Sequence, residues 1–469
     1  MTACQTPSLL NTKEAVVVAP GDANSGENST NAQQEGDLPP FTTMADDENP
    51  ALKSQAETLN GQLATLPANE LEPIILKAPL NVEALEGTRI ALLLPLSTPG
   101  NTKRGRELQR LGKALLNSAQ MALFDWQNPS INLMPIDTHG TPQGAATAAR
   151  DAVAKGADII LGPLLSTSVQ AVSPIANQAG IPVVSYSNRE EVAGNGTYIM
   201  GFVPQQQVDA LVLHSIENNI TKFAVMAPEG PYGEAVVRAL QLSTQRLGGD
   251  ITRVQFYDTQ ATDYGEDVKI ISDYPRRRQT LLNRVAELKA RNDEVSKAAL
   301  RQLRQRETLG DVDFEAILLP TQNERALRTI ATQLAYYDVD QPAVRILGLQ
   351  LWDSFGNLSS EPPLVGGWYA APPVEGRQSF FKRHQRIYGS PPDRLASLAY
   401  DSMALAVILA GSEGNPDYSD AALTNATGFA GVEGIFRLGR NGIAERGLAI
   451  REIKSDGIET IKLAPTAFN

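Results

Sequence analysis

Asp158–Asn188 reads DIILGPLLSTSVQAVSPIANQAGIPVVSYSN. Asp158–Gly162 is a short apolar run bounded by turn formers, which predicts a buried strand. Ser168–Ala179 is helical, and Ile181–Ser185 is the next strand. The same alternation extends toward the amino end. Arg89–Leu96 (RIALLLPL) is an apolar run of the kind found in parallel strands covered on both faces. Leu108–Trp126 places Leu111, Leu115, Ala119, Ala122 and Leu123 at helical spacing. Ile131–Asp137 is a strand, and Gly144–Lys155 is a helix with an Ala-rich packing face. Strands alternating with helices at this spacing predict βαβ units and a parallel sheet.

A second alternation follows toward the carboxyl end. Asp209–Asn218 reads as helix, Lys222–Ala227 (KFAVMA) as strand, and Gly233–Leu247 as a helix closed by Gly248-Gly249. Ile251–Tyr257 and Phe314–Leu319 are strands, Glu324–Tyr337 a helix, Arg345–Leu349 and Val365–Ala371 further strands. This is too much for one sheet of usual width, so the fold class is α/β with two doubly wound, parallel-sheet lobes. A long helix, Arg394–Ala410, comes next. A strand pair is expected around Gly434–Arg437 and Leu448–Ile453, with Asn441-Gly442 as its turn.

The 469 residues are 42% hydrophobic and 20% charged, ordinary values for a folded chain. The net charge of −12 argues against a general nucleic-acid binder. No run of about 18 apolar residues exists, so no membrane-spanning helix is expected. One cysteine excludes an internal disulfide framework and a thiolate metal cluster. With three histidines, His139, His214 and His384, a multi-histidine zinc site is not expected.

The acidity is concentrated. Residues 1–87 hold three basic and thirteen acidic side chains, a net −10, and are rich in Ala, Asn, Gln, Ser, Thr and Pro. Such a segment cannot bury enough surface to offset chain entropy and is expected to be a disordered acidic tether, with one short helix over Pro50–Leu66. Near its start, Thr2-Ala3-Cys4 resembles the last three positions of a bacterial lipobox. On that reading Cys4 carries the lipid, and acyl chains in combination anchor firmly where one alone holds marginally. The alternative is an incidental cysteine in a tail.

Between Tyr257 and Phe314 more than fifty residues stand where connections usually take about 2–6. From Arg276 to Arg306 there are ten Lys or Arg against Glu287, Asp293 and Glu294. Leu281, Val285, Leu288, Val295 and Ala299 give an apolar face, so a long amphipathic helix is predicted inside a basic insert at about 259–312. Arg276, Arg277, Arg278, Arg284, Lys289 and Arg291 are its candidate docking residues. A solvated face on an embellishing helix is the plainer reading.

The segments LGPLLSTS, GIPVVSYSN, APEGPYGEAVVRAL, AYDSMALAVIL and FAGVEGIFRLGRNG together resemble the type I periplasmic binding proteins, the leucine/isoleucine/valine-binding receptors, over about residues 89–462. The resemblance implies two lobes joined by three crossovers near residues 204, 373 and 433. Lobe 1 would be 88–203 with 374–433, and lobe 2 would be 204–373 with 434–469. It also implies a small polar ligand, such as an amino acid, between the lobes. The matching positions are Ser166, Thr167 and Ser168, then Ser185, Tyr186, Ser187 and Asn188, with Tyr232 from the facing lobe and Asp353 as the partner for an ammonium. Helix starts and the carboxyl ends of parallel strands suit such a ligand. The same Ser and Thr residues also suit simple capping.

Tyr274–Gln279 (YPRRRQ) is similar to the lipoprotein activators of penicillin-binding proteins, a branch with the same two-lobe architecture. About thirty extra residues separate this segment from the next strand here, and the branch's amino-terminal helical repeats are replaced by the acidic segment. Two functions follow as expectations. The first is a non-catalytic lipoprotein that activates a peptidoglycan synthase by contact. It would sit in the periplasm of a Gram-negative bacterium, touching the membrane through its lipid alone, in the outer rather than the inner membrane. The second is a solute receptor delivering an amino acid to an ABC permease. Neither expects a cofactor, and none of the common nucleophile, phosphate-loop, zincin or dinucleotide motifs is present.

Overall fold

Seven consecutive residues, Thr88–Leu94, form strand β1, and all but Arg89 are buried. A strand with neighbours on both edges and helices on both faces has no side for polar residues. Its parallel partners are β2 (Ile131–Asp137) and β3 (Ile159–Leu161), with β4 (Val183–Ser185) and β5 (Thr197–Ile199) extending the sheet to the order β2-β1-β3-β4-β5. The computed structural model describes residues 87–468 apart from 127, 129, 292 and 412–414. Cys4, the acidic segment and the helix expected over Pro50–Leu66 lie outside the described residues.

Helix α1 (Lys103–Trp126) covers one face of this sheet, and α2 (Pro142–Ala154) and α3 (Ser166–Gln178) cover the other. The α2 face is alanine, with Ala145, Ala148, Ala149 and Ala152 buried. Its start is fixed by Thr141, whose side chain accepts a hydrogen bond from the Gly144 N–H at 3.0 Å, and by Pro142 in the first turn.

The chain then passes through 200–203 into a second sheet. Strands β6 (Lys222–Pro228), β7 (Asp250–Tyr257), β8 (Ala316–Leu318), β9 (Arg345–Gly348) and β10 (Trp368–Ala371) are parallel. Helices α4 (Pro204–Glu217) and α5 (Pro231–Leu247) bury one face, while α6 (Gly265–Ile271) and α9 (Glu324–Tyr336) bury the other. Between α6 and β8 the insert forms α7 (Tyr274–Arg291) and α8 (Glu294–Leu303). The single long helix expected there is two, because Asp293 caps α8 by accepting from the Ser296 N–H at 2.7 Å.

After β10 the chain returns to the first lobe as α10 (Glu375–Tyr388), α11 (Ala396–Ala410) and α12 (Asp420–Leu423). Helix α11 packs along α1 and is buried nearly all round. A small antiparallel sheet follows, β11 (Phe429–Gly431), β12 (Gly434–Leu438) and β13 (Ala444–Arg446). Phe436, Leu438 and Ala444 join the first lobe's core, and Ile443 bridges Ile199. The third crossover therefore falls at 447–448, not near 433. The expected strand pair is also re-partnered. Gly434–Leu438 pairs with Ala444–Arg446 around the Asn441-Gly442 turn, while β14 (Ala449–Lys454) runs antiparallel to β10 and to β15 (Gly457–Lys462). Apolar pattern alone cannot tell which of two neighbouring strands closes a hairpin.

Candidate functional site

The carboxyl ends of the parallel strands carry the polar groups. Gly162 ends the β3 run with φ +82°, where a Cβ would run into the Leu93 carbonyl, so glycine is required for the turn. Beyond it α3 begins at Ser166 without a side-chain cap. Ser166 is half-buried and Thr167 exposed. Ser168 is buried, and its hydroxyl has no partner. After β4, Ser185 and Ser187 are buried and Asn188 is exposed. The Ser185 hydroxyl donates to the Pro163 carbonyl at 2.8 Å and accepts from the Ser187 N–H at 3.1 Å. It thus stitches the two strand-end loops together. Tyr186, expected at the ligand, is a core residue instead. Its ring packs with the β1 and α11 side chains, its hydroxyl shares a 2.9 Å hydrogen bond with Ser402, and burial pushes its pKa up.

In the facing lobe, Tyr232 is half-buried at the first turn of α5, and burial raises its pKa. Two further buried polar atoms without partners lie beyond β8 and β9: the Thr321 hydroxyl and the Gln350 side-chain carbonyl. Buried polar atoms are normally paired, so Ser168, Thr321 and Gln350 mark strand ends with hydrogen-bonding capacity left over. Thr321 was invisible to sequence reasoning, since a lone Thr after a strand carries no motif.

Asp353 is not available to a ligand's ammonium. A 3-10 helix, Gln350–Ser354, follows β9 and turns this carboxylate into the protein. It accepts from the Tyr369 hydroxyl at 2.8 Å and from Arg377 at 2.8 Å and Arg451 at 2.5 Å. Three donors already occupy it.

At the first lobe's strand ends, His139 follows Asp137 in a turn that Ser97 joins. The Ser97 hydroxyl lies 2.5 Å from Asp137 Oδ2 and 2.6 Å from His139 Nδ1, and the His139 N–H donates to Asp137 at 2.8 Å. Burial works to raise the Asp137 pKa, but the Ser97 hydroxyl, the His139 and Ser97 N–H groups and the His139 charge bring it below the ordinary value. A serine–histidine–aspartate relay needs the imidazole between the other two, one ring nitrogen to each. Here Ser97 and Asp137 both approach Nδ1, so the cluster is a turn lock rather than a relay. Ser97 and His139 are 42 residues apart, and no short pattern links them.

The basic insert presents a different face from the one expected. Arg277 is buried, and its guanidinium donates to the carbonyls of Gly310 at 2.8 Å, Tyr337 at 3.0 Å, Asp338 at 2.9 Å and Ser272 at 3.4 Å. Ser272 and Tyr337 are the end caps of α6 and α9, where a cation meets the negative ends of two helix dipoles. Arg278 donates to the Glu307 carbonyl and carboxylate, and Arg276 pairs with Asp273 and the Asp311 carbonyl. The triple arginine therefore fastens the insert to itself and to the end of α9, and Arg277 cannot dock a partner. Arg284 is half-buried and paired with Glu287 at 3.0 Å, while Lys289 and Arg291 are exposed at the end of α7.

Among the described residues no group of three or more His, Cys, Asp or Glu is arranged to hold a metal ion. None of the described helices is long and apolar enough to cross a membrane.

Residues 87–273 match the family described as Periplasmic binding protein. The penicillin-binding protein activator LpoA of Vibrio vulnificus is 25% identical over 216 residues, 44% of this chain and 34% of the relative. An uncharacterized protein of Rickettsia prowazekii is 23% identical over 185 residues, 39% of this chain and 47% of the relative. The chain thus spans less than half the length of these curated relatives. An ABC transporter substrate-binding protein from Sphaerobacter thermophilus superposes with a TM-score of 0.58 at 16% identity, covering 81% of this chain and 98% of that one. The leucine-, isoleucine-, valine-, threonine- and alanine-binding protein of Brucella ovis, in its closed conformation, gives 0.54 at 14% identity, covering 82% and 95%. The architecture is the type I periplasmic binding protein fold, as the strand–helix alternation and its quoted segments led us to expect.

Proposed function

We propose that this protein is a non-catalytic periplasmic lipoprotein, anchored through Cys4 in the outer membrane of a Gram-negative bacterium, that binds and activates a penicillin-binding protein. The observation that carries the reading is the similarity to the activator of V. vulnificus, on a fold that serves elsewhere in ligand capture. The exposed basic residues of α7 and α8, Lys289, Arg291, Lys297 and Arg301 among them, supply a surface that ordinary connections lack. Residues 1–87 act as the tether that lets this surface reach its partner. The test is synthase activity of a purified penicillin-binding protein with and without the full chain. A rate increase that disappears when those four cations become glutamine supports the reading, and an unchanged rate in the presence of demonstrated binding excludes activation.

A second reading is a solute receptor for an ABC importer. It is favoured by the unpartnered Ser168, Thr321 and Gln350 groups at the strand ends, which with Ser166, Thr167, Ser187, Asn188 and Tyr232 offer donors and acceptors to a small polar ligand. Ligand at about 100 times its dissociation constant stabilises the bound state by about 2.7 kcal/mol. A thermal-shift screen of the common amino acids reads this directly. A shift with one of them that Ser168→Ala removes would favour the receptor.

A further inference from the structure

At the second crossover, between β10 and α10, lies a cavity of about 640 Å³. Its wall is assembled from both lobes. Arg377, Gln378 and Arg394 come from the first, and Asp353, Arg451 and Thr460 from the second. Arg377 and Arg451 are more than nine-tenths buried. Such burial of guanidinium groups is tolerated only where anions compensate them. Two carboxylates do so: Asp353 holds Arg377 and Arg451, while Glu433, fully buried behind the wall, holds Arg394 and takes the Ser397 hydroxyl at 2.8 Å.

The compensation is incomplete. Three arginines line the cavity against two carboxylates, leaving one positive charge in excess. Arg377 Nη1 is turned away from the cavity toward Glu433, 3.8 Å from its Oε2, and like Arg451 Nε it is buried without a hydrogen-bond partner. Burial lowers the Arg394 pKa, and the neighbouring Arg377 charge adds to that effect. Beside these donors the wall is apolar at Val374, Phe381 and Ile458.

We propose that this crossover cavity binds a small organic anion, its carboxylate or phosphate group held by the uncompensated positive charge of Arg377, Arg394 and Arg451 and its apolar body lying against Phe381 and Ile458. Guanidinium forks suit both oxyanions, and the volume is that of an ordinary small-molecule site. The site is separate from the strand-end turns at Ser166–Ser168 and Tyr232. Because its donors come from both sides of a crossover, an occupant ties the two lobes together at the hinge.

The test uses the full chain at constant ionic strength with four probes: inorganic phosphate, phenyl phosphate, phenylacetate and benzylamine. Calorimetric titration should show one-to-one binding of phenyl phosphate or phenylacetate, weaker binding of inorganic phosphate, and none of the cation. Which aromatic anion binds more tightly tells phosphate from carboxylate preference. Gln378→Glu and Thr460→Glu change exposed rim residues outside the ion pairs, so they keep the fold while adding repulsion. Each should weaken anion binding about tenfold or more with the melting temperature of the unliganded protein unchanged. Arg377→Lys, which keeps the charge but loses the fork, should weaken it as well. Absence of heat with every anion at millimolar concentration overturns the proposal, as does anion binding that both rim variants leave intact.

Discussion

Arg277 shows how much a single residue's environment decides. In the sequence it is the middle of three arginines in a basic run, and exposure is the natural expectation. In the structure it is a buried plug that satisfies four carbonyls, two of them at helix ends. Orphaned carbonyls at a helix end need partners, and a planar fork with five donors can serve several at once. Arg277→Ala should therefore lower stability by about 3 kcal/mol, read as a shift of the urea midpoint. Arg277→Lys should recover little, because a point charge cannot reach all four acceptors. A midpoint within error of wild type for the alanine variant would mean that water replaces the guanidinium without loss. Asp401 gives the second residue-level prediction. It is fully buried beneath Gly431, one oxygen accepts from the Val432 N–H at 2.8 Å, and the other has no partner. Burial pushes its pKa up to about 7, against the opposing pull of Arg446. A carboxyl that holds its proton more tightly folded than unfolded favours the folded state most below its unfolded pKa of about 4. That contribution is lost as pH rises toward 7, up to about 4 kcal/mol in all. Asp401→Asn should remove this slope between pH 4 and 7 from the denaturation free energy, leaving the other titrations in place.

The elements were largely legible because their apolar periods are strong. The run at Arg89–Leu96 appears as β1, and Leu115, Ala119 and Ala122 are the buried face of α1. What escaped were breaks and partners. Asp293 reads as one acid among many cations until its side chain is seen capping α8, and nothing in the pattern of β12 says that its mate is Ala444–Arg446. The strand-end turns were found through Gly162 and the serines that follow, whereas the Ser97–Asp137–His139 lock needed the sheet to bring β1 and β2 together. For the insert, the buried and exposed sides of α7 and α8 predict opposite responses. Leu281 and Leu288 are buried, and truncating either to alanine should cost about 2–5 kcal/mol. Lys289, Arg291, Lys297 and Arg301 are exposed, and the ion pair of Lys297 with Glu294 lies at the surface. Exposed pairs contribute little, so changing all four to glutamine should cost about 1 kcal/mol at most, read as a shift of the urea midpoint. Equal losses of stability from both sets would mean that the charged face packs against something within the chain.

At the scale of the whole molecule, the question is what fixes the two lobes against each other. Three crossovers join them, and at the second the ion pairs run from lobe to lobe. Arg377 of α10 reaches Asp353 beyond β9, and it also stands 3.8 Å from Glu433, which Arg394 holds with its two terminal guanidinium nitrogens. At the first crossover Gln206 of α4 bridges to β13, accepting from the Arg446 N–H at 3.1 Å and donating to the Ala444 carbonyl. Such networks are poor sources of net stability, because desolvating the charges costs about what their attraction returns. Breaking one is a different matter. Glu433→Gln keeps the shape and removes the charge, leaving Arg377 and Arg394 underneutralised. It should cost roughly 3–5 kcal/mol, the usual penalty for an unpaired buried ion. Arg394→Met combined with Glu433→Leu removes both members together and should cost clearly less than the single change. Because the network straddles a crossover, the single variant should also loosen the hinge and enlarge the radius of gyration seen by X-ray scattering. If Glu433→Gln unfolds at the wild-type midpoint and scatters identically, the lobes are held by the crossover backbone alone, and the arginines at that junction serve the anion rather than the fold.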